Sequence, residues 1–324
     1  MSWTHLIVGV DPWPPELVAM FRAQLPPGFH IEFAGDGPVP AELLAEAEFI
    51  VANWQAVPRR IIEAAPRLRL IQKIGVGYDK IDLDAARERG VMVAIAGGTN
   101  AVAVAELTIL LMLAVCRHLV QLDQGLRRGQ WLKWALRHKS YELSGKNLGV
   151  VGFGRIGREV ARRAAAFGMR IGYYDPVPPP PEAVQGLDAM PMDLDRLLEF
   201  ADILTLHVPL TPETRGLMSR ERLERLRPGA ILINAARGGL VDEQALYDLL
   251  KSGHLAGAGL DVFAEEPPKP DHPLLSLDNV VVTPHAGGGT RETMERMIRR
   301  AVENITRVAA GGAPHPGDII VPAP

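Results

Sequence analysis

The sequence predicts an α/β protein made of two lobes, each built around a parallel sheet. Compact apolar runs alternate with segments of helical spacing along most of the chain, which is the order that strand–helix–strand units produce. A length of 324 residues exceeds what one hydrophobic core usually serves. A break at Gly97-Gly98 divides the alternation into two series. We therefore expect one lobe on either side of that break.

The first lobe is predicted from short apolar runs in the first hundred residues. We expect its strands at residues 6–10, 49–52, 70–74 and 91–95. The segments between these runs carry helical spacing, and we expect helices at residues 15–21, 57–65 and 83–89. This part of the chain therefore reads as one α/β unit.

The second lobe begins with a long helix rich in Ala and Leu, which we expect at residues 101–119 because the segment contains neither Pro nor Gly. A segment that bears Trp residues follows it. We expect the strands of this lobe at residues 148–151, 169–174, 203–208, 230–234, 257–262 and 280–283. The crossovers between parallel neighbours should be right-handed.

The composition excludes several classes of partner. Lys and Arg number 35 against 38 Asp and Glu, so nothing favours a nucleic acid or an anionic membrane surface. The longest apolar stretch, residues 107–116, is too short to span a bilayer, and the first apolar run ends too early for a secretory signal. The single cysteine, Cys116, indicates a reducing compartment and a core position, and no histidines show metal-ligand spacing. We expect a cytoplasmic protein without a metal that acts on small molecules.

A glycine pattern follows the first strand of the second lobe. Gly152, Gly154 and Gly157 have the spacing of a dinucleotide-binding loop, with a strand before them and a helical segment after them. Gly152 permits the tight turn, Gly154 leaves room for a pyrophosphate, and Gly157 allows close packing of the helix. The N-terminus of that helix offers N–H groups to the phosphates. Arg155 and Ile156 complete the rim of the predicted site.

An acidic residue ends the next predicted strand. Asp175 lies 18 residues (175 − 157) beyond Gly157, where a carboxylate accepts hydrogen bonds from the hydroxyls of the adenosine ribose. The same negative charge would repel a 2′-phosphate. The sequence therefore predicts NAD, rather than NADP, as the cofactor.

Four ionisable side chains follow later strands of this lobe. Arg237, Asp261, Glu266 and His285 lie within or just after the segments 231–242, 259–267 and 282–288. Residues past the carboxyl ends of parallel strands face the ligand crevice, so these side chains could converge. A histidine can exchange the proton of a carbonyl oxygen, a carboxylate can orient the imidazole, and an arginine can bind an anionic substrate. This chemistry fits hydride transfer to a 2-oxo acid.

These segments resemble the D-isomer-specific 2-hydroxyacid dehydrogenases, which include D-3-phosphoglycerate, glyoxylate/hydroxypyruvate and formate dehydrogenases. The resemblance covers nearly the whole chain. Beyond the glycine pattern and the strand-end segments, it includes Lys73-Ile74-Gly75-Val76-Gly77-Tyr78-Asp79, Asn100 with Val104-Ala105-Glu106, and His207-Val208-Pro209-Leu210-Thr211-Pro212-Glu213-Thr214.

The resemblance implies a role for individual residues. Arg237, Glu266 and His285 match the catalytic trio of the family, with His285 as general acid and base, Glu266 assisting it and Arg237 binding the substrate. Asp261 matches the residue that holds the nicotinamide carboxamide. Further positions that match cofactor-lining residues are Val208, Ala235, Ala236, His285 and Gly288. Those that match substrate-binding residues are Lys73, Val76, Gly77, Arg237 and His285.

The resemblance also implies an architecture. It is a Rossmann NAD-binding domain, residues 101–288, inserted into a flavodoxin-like substrate domain, residues 1–100 and 289–324, which a helix at residues 291–309 completes. A homodimer through the NAD-binding domains is implied as well. We expect no regulatory domain after Pro324. The Gly287-Gly288-Gly289 run departs from many relatives, which carry an aliphatic residue or Ser there, and suggests a more mobile loop.

Two alternatives remain open at this point. An NAD-sensing binding protein of the co-repressor type shares the fold and the trio, and fold alone does not exclude it. We favour the enzyme because such proteins normally add docking extensions. Within the enzyme class the substrate is open among glyoxylate, hydroxypyruvate, phosphoglycerate and bulkier 2-oxo acids, and Lys73 is the only extra basic residue that we can place near a phosphate.

Overall fold

The structure is a computed structural model that describes residues 4–323. Within this range the chain divides into two compact units. Unit one comprises residues 4–100 and 290–323, and unit two comprises Ala101–Gly289. Both units are α/β with mainly parallel sheets, so the predicted fold class is confirmed.

The strands are, in chain order, β1 (His5–Gly9), β2 (Phe29–Phe33), β3 (Phe49–Ala52), β4 (Leu70–Lys73), β5 (Met92–Ala94), β6 (Asn147–Val151), β7 (Arg170–Tyr174), β8 (Ala189–Pro191), β9 (Ile203–Leu206), β10 (Ala230–Asn234), β11 (Leu255–Leu260), β12 (Val280–Val282) and β13 (Ile319–Val321). The α-helices are α1 (Pro15–Arg22), α2 (Ala41–Glu46), α3 (Arg59–Glu63), α4 (Leu83–Glu88), α5 (Ala101–Cys116), α6 (Leu119–Arg127), α7 (Lys133–Arg137), α8 (Arg155–Ala166), α9 (Pro181–Val184), α10 (Leu194–Phe200), α11 (Arg220–Glu224), α12 (Glu243–Ser252) and α13 (Arg291–Ala309). Short 3-10 helices lie at Gly238–Leu240, Pro273–Ser276 and Pro316–Asp318.

Unit one has a six-stranded sheet in the order β13-β5-β4-β3-β1-β2. Strands β1 to β5 are parallel, in the order 2-1-3-4-5 of flavodoxin-like folds. Side chains alternate between two cores, because successive residues of a strand point to opposite faces. Phe49 packs with Ile298 of α13 on one face, whereas Ile50 packs with Ile62 of α3 on the other.

Unit two has a seven-stranded parallel sheet in the order β12-β11-β10-β9-β6-β7-β8. The order reverses between β6 and β9, and ligands bind at such switch points in open α/β sheets. Helices cover both faces. Val150 packs with Leu111 of α5 and Val160 of α8, whereas Leu232 packs with Leu246 of α12 on the opposite face. Cys116 is buried in the first of these cores, as expected, and burial raises the pKa of its thiol to about 11.

The predicted helix at residues 101–119 is wrong at its C-terminal end. Helix α5 stops at Cys116, whose carbonyl accepts a hydrogen bond from the Tyr141 N–H at 2.9 Å. His118 has a φ of 51°, which a right-handed helix cannot include. Helix α6 then leaves at 64° to α5, and no single helix in residues 4–323 is long and apolar enough to cross a membrane.

Three strands at sheet edges were not predicted from the sequence. Strands β2, β8 and β13 each lie at the edge of a sheet, and β13 runs antiparallel to β5. Edge strands are short and need not alternate clearly, since one side faces solvent. The proline that ends β8 fits such an edge position because no neighbour needs its missing N–H.

Candidate active site

The glycine loop lies at the switch point of unit two, directly after β6. Gly152 has a φ of 92°, and a Cβ there would lie 2.7 Å from the backbone carbonyl of His207. A Cβ on Gly157 would lie 2.1 Å from the Gly152 carbonyl oxygen, so a side chain would push α8 away from the loop. Gly154 caps α8 and faces open space. A loop closed on its inner side and open beside the helix N-terminus fits a dinucleotide pyrophosphate.

The rim residues of this loop lie where the sequence places them. Arg155 and Ile156 are the first two residues of α8, with Arg155 exposed and Ile156 partly buried. Asp175 directly follows β7, and its carboxylate accepts hydrogen bonds from the N–H groups of Phe153 at 2.7 Å and Val177 at 2.9 Å. Asp175 therefore holds the glycine loop in place, a role that the sequence analysis did not foresee, and its predicted contact with the ribose stays a prediction.

The segment after β9 lies next to the glycine loop in the sheet order, and the segment after β10 lies one strand further. Val208 is buried, and Ala235 and Ala236 are partly buried. The Asn234 side chain binds this segment at two points: its Oδ1 accepts from the Ala236 N–H at 3.1 Å, and its Nδ2 donates to the Arg237 carbonyl at 2.9 Å. The backbone that presents Arg237 is therefore fixed by a buried amide.

His207 is a partly buried histidine to which the sequence analysis gave no role. Its Nε2 lies 2.9 Å from the Thr205 hydroxyl, and burial lowers its pKa to about 3. Its Nδ1 has no hydrogen-bond partner in residues 4–323. The ring is therefore neutral at physiological pH, and it adds no charge beside the glycine loop.

Asp261 anchors the loop that carries His285. The carboxylate is buried, with Oδ1 accepting from the Thr283 hydroxyl at 2.6 Å and the Ala286 N–H at 2.7 Å, and Oδ2 accepting from the Gly287 N–H at 2.8 Å. The Asp261 carbonyl accepts from the His285 N–H at 2.7 Å. The predicted contact with a nicotinamide carboxamide stays a prediction, and the observed role is structural.

The His285 backbone needs this anchor. Its φ is 53°, a left-handed conformation that costs energy for any residue other than glycine. The predicted cofactor-lining residue Gly288 lies in the same loop and is partly buried. The Gly289 N–H donates a hydrogen bond to the Ala286 carbonyl at 2.8 Å. Two of the three glycine N–H groups of this run are therefore bound, and the expected mobility of the loop stays a prediction.

The structure brings the three residues of the predicted trio together. Nδ1 of His285 lies 2.9 Å from Oε2 of Glu266, and the side chains are 46% and 29% exposed. Burial by itself raises the pKa of Glu266. The hydrogen bond and charge of His285, the hydrogen bond from the Phe263 N–H and the charge of Arg237 outweigh this effect, so the pKa lies below its ordinary value. Glu266 is thus a carboxylate at neutral pH. Arg237 also donates from Nη1 to the Ala236 carbonyl at 2.7 Å.

The predicted substrate-binding residues of unit one follow β4. Lys73 ends the strand, and its Nζ donates to the carbonyls of Asn53 and Ile74. Lys73 therefore joins two loops, in addition to any charge that it offers an anion. Val76 and Gly77 are partly buried, and their N–H groups donate no hydrogen bond within the described part of the chain. Two such N–H groups suit a carboxylate oxygen.

Sequence reasoning missed the residue that organises the neighbouring loop of unit one. Asp11 is fully buried just after β1, and its carboxylate accepts hydrogen bonds from the N–H groups of Asn53, Trp54 and Gln55. These residues follow β3, so Asp11 occupies the switch point of this sheet. The available signal was an aspartate directly after the first strand.

Comparison with known proteins identifies the family. The family model described as "D-isomer specific 2-hydroxyacid dehydrogenase, NAD binding domain" matches residues 109–287. A hydroxypyruvate reductase of Thermotoga maritima is 46% identical over 258 residues, which are 79% of this chain and 82% of that protein. The chain belongs to the D-isomer-specific 2-hydroxyacid dehydrogenase family. The residues matched by the family model lie within unit two, so unit two is the NAD-binding domain of this chain.

Other relatives in this family differ in length and in their stated substrates. A D-3-phosphoglycerate dehydrogenase of Methanocaldococcus jannaschii is 47% identical over 262 residues, covering 81% of this chain but 49% of that protein. The chain thus spans about half the length of that relative. A D-lactate dehydrogenase of Aquifex aeolicus, solved with NAD and lactic acid, superposes with a TM-score of 0.86 at 30% identity, covering 98% of this chain and 99% of that one.

Proposed function

We propose that this protein is an NAD-dependent dehydrogenase that moves a hydride between nicotinamide and a small D-2-hydroxy acid or its 2-oxo acid. The single observation that carries the proposal is the 2.9 Å contact between His285 Nδ1 and Glu266 Oε2, at the strand ends of the NAD-binding domain. The charge of Arg237 acts on the same carboxylate. A trio of proton carrier, carboxylate and cation is what this reaction requires.

Each residue of the trio has a distinct task. Glu266 accepts a hydrogen bond from Nδ1 of His285, which leaves Nε2 to give a proton to the carbonyl oxygen or to take it from the hydroxyl. Arg237 binds the anionic substrate and favours negative charge that develops on its oxygen. The bound cofactor would accept the hydride as NAD+ in oxidation of the hydroxy acid and would supply it as NADH in reduction of the oxo acid. The loop anchored by Asp261 keeps the imidazole in position for this exchange.

The remaining predicted contacts are part of the same proposal. The N–H groups of Val76 and Gly77, with the charge of Lys73, receive the substrate carboxylate. The segment with Val208, Ala235 and Ala236, together with Asp261 and Gly288, lines the nicotinamide half of the cofactor. Asp175 binds the ribose and disfavours a 2′-phosphate. Two observations support these roles. The N–H groups of Val76 and Gly77 donate no hydrogen bond within the described residues, and Asp175 lies directly after β7.

The proposal is tested by NADH oxidation across a panel that contains glyoxylate, hydroxypyruvate, pyruvate and bulkier 2-oxo acids. We expect turnover of at least one acid, a preference for NADH over NADPH, and a fall in kcat of about 100-fold or more in His285→Ala. His138→Ala is the matched control because His138 is exposed at the end of α7. Binding of NADH without turnover of any acid would refute the proposal and favour an NAD-sensing binding protein.

We also propose a homodimer formed through the NAD-binding domains. Helices α6 and α7 and the residues that follow them expose large apolar side chains, led by Trp131 at 74% and Trp134 at 66%. Further members of this patch are Leu119, Val120, Leu126 and Tyr141. Exposed apolar patches of this kind mark contact surfaces. Light scattering should give twice the chain mass for the wild type and the chain mass for Trp131→Ser/Trp134→Ser, whereas an unchanged mass would refute this interface.

Finally, we propose that the protein works in the cytoplasm. Support comes from its only cysteine, Cys116, which is buried and forms no disulfide. A near balance of charge gives no reason to expect a nucleic acid partner. Cell fractionation would test this location.

A further inference from the structure

A second pair of histidine and glutamate lies behind the proposed trio in unit two. Glu243 is the first residue of α12, and His272 precedes the 3-10 helix Pro273–Ser276. Nε2 of His272 lies 3.2 Å from Oε2 of Glu243, and the two side chains are only 20% and 19% exposed. Nδ1 of His272 is buried and has no partner in residues 4–323. In the neutral form of the ring, the hydrogen therefore lies on Nε2 and is donated to Glu243, because an N–H buried without an acceptor is costly.

The other oxygen of Glu243 binds the loop that carries Glu266. Oε1 of Glu243 accepts a hydrogen bond from the Ala264 N–H at 2.8 Å. The His272 ring contacts the Phe263 ring edge-on, with centroids 5.4 Å apart and an interplanar angle of 75°. Glu243 and His272 together therefore hold the peptide that joins Phe263 to Ala264.

Residue Phe263 links this peptide to the trio on two sides, because its own N–H, in the preceding peptide, also makes a hydrogen bond. The Phe263 N–H donates to Oε1 of Glu266 at 3.2 Å, and Oε2 of the same carboxylate binds His285. On the other side the peptide packs against Gly238, the residue after Arg237. A Cβ on Gly238 would lie 1.9 Å from the Phe263 carbonyl carbon, so the two loops pack too closely for any side chain between them.

We propose that Glu243, held by His272, is a positioning residue that fixes the Phe263–Ala264 peptide and, through it, the carboxylate of Glu266. This inference rests on the proposed function for its effect on turnover. Without the Glu243 bond, residue Phe263 is held less firmly, and its own N–H, which belongs to the preceding peptide, no longer sets the orientation of Glu266. The Nδ1–H form of His285, which that carboxylate selects, then loses its preference over the Nε2–H form.

The test compares Glu243→Ala, Glu243→Gln and His272→Ala with Glu221→Ala. Gln at position 243 keeps an oxygen that can accept from the Ala264 N–H, whereas Ala removes both bonds. Glu221 is the matched control: it also lies in the first turn of a helix, is exposed, and accepts a hydrogen bond from the nearby Ser219 hydroxyl. Nitrogen-15 NMR of the His285 ring, assigned by its loss in His285→Ala, reports which ring nitrogen carries the hydrogen. Steady-state kinetics and NADH binding are measured on the same proteins.

In Glu243→Ala we expect a mixture of the two His285 ring forms and a fall in kcat of about 10- to 100-fold, as is typical when an outer partner of a site residue is lost. The Kd of NADH should stay within about twofold, since the glycine loop is untouched. We expect Glu243→Gln to recover most of the wild-type His285 ring form and most of the wild-type kcat. His272→Ala should show a smaller fall in kcat, and Glu221→Ala should match the wild type in both measurements.

Two outcomes would overturn the inference. The first is a wild-type ring form and a wild-type kcat in Glu243→Ala. The second is an equal loss in Glu243→Gln and Glu221→Ala, which would indicate a general effect of charge. If Glu243→Ala does not fold, Glu243→Gln and His272→Ala decide by the same measurements. If the wild type turns over no acid, the proposed function fails, and the ring form of His285 still decides whether Glu243 positions Glu266.

Discussion

Asp261→Asn is expected to loosen the loop that carries His285. The wild-type carboxylate accepts from the N–H groups of Ala286 and Gly287, one on each oxygen, and from the Thr283 hydroxyl. An asparagine amide keeps one oxygen and replaces the other by an NH2 group. In either orientation of the amide, one of the two backbone N–H groups therefore faces a donor instead of an acceptor.

The magnitude follows from these contacts. A buried N–H without an acceptor costs about 1–3 kcal/mol, and the bonds that remain weaken because their acceptor is no longer charged. Together we expect a loss of about 3 kcal/mol in the free energy of unfolding. For a unit of this size each kcal/mol lowers Tm by about 2–4 °C, so Tm should fall by about 6–12 °C.

Calorimetry and kinetics on the same variant provide the assay. We expect kcat to fall by about 100-fold, the effect of a displacement of about 1 Å in a catalytic group. Asp242→Asn is the matched control. Asp242 caps α12 by accepting from the Ala245 N–H at 2.9 Å, and Asn caps helices as well as Asp does. Its Tm should change little.

The result that would refute this reasoning is specific. If Asp261→Asn keeps the wild-type Tm but loses NADH affinity, the carboxylate acts on the cofactor, as the resemblance to the family implies, and its contacts with the loop contribute little to stability. If both Tm and kcat remain unchanged, neither role holds.

Four further predictions concern the cofactor loop and the proposed trio. Gly157→Ala should lower Tm by overpacking, at a cost of about 1–3 kcal/mol, since its Cβ would lie 2.1 Å from a backbone oxygen. Gly154→Ala should leave Tm unchanged, because nothing lies within 4 Å of its Cβ, but should weaken NADH binding, and an unaltered Kd by fluorescence titration would contradict that site. The pKa of Glu266 is lowered on folding, because His285 and the other partners outweigh the opposing effect of burial. The carboxylate therefore stabilises the fold at pH values above its unfolded pKa near 4.5. This stabilisation is lost as the pH falls through the lower pKa of the folded state. Glu266→Gln should remove that acid dependence from Tm measured between pH 3 and 6. Asp175→Ala should reduce the NADH preference over NADPH measured by kcat/KM and should also lower Tm, because the Phe153 N–H loses its acceptor, and an unchanged cofactor ratio would count against a ribose contact.

Part of the candidate site could be predicted because it depends on short segments. The spacing of Gly152, Gly154 and Gly157 after an apolar run specifies a strand, a tight turn and a helix, all within a few residues. His285 and Glu266 could be placed near each other because both follow strands of one parallel sheet, whose carboxyl ends share an edge. The α/β class follows from the same alternation.

The rest could not be predicted because its contacts join residues far apart in the chain. The two partners of Glu243 are 21 and 29 residues away, and Asp261 meets the Ala286 N–H across 25 residues. A carboxylate looks the same in sequence whether it faces a ligand or a backbone N–H, so the anchoring roles of Asp11, Asp175 and Asp261 were missed or assigned only to the ligand.

The sequence by itself determined the two α/β lobes, the dinucleotide loop and the residue types of the proposed trio, since local periodicity and glycine spacing encode them. Tertiary structure alone decided where α5 ends and which carboxylates hold loops rather than ligands. The end of α5 depends on the left-handed backbone of His118 and on the Tyr141 N–H, which binds the last helical carbonyl from 25 residues (141 − 116) further along the chain. Such choices depend on the hydrogen-bond partners that folding brings together, and a pattern along the chain does not record them.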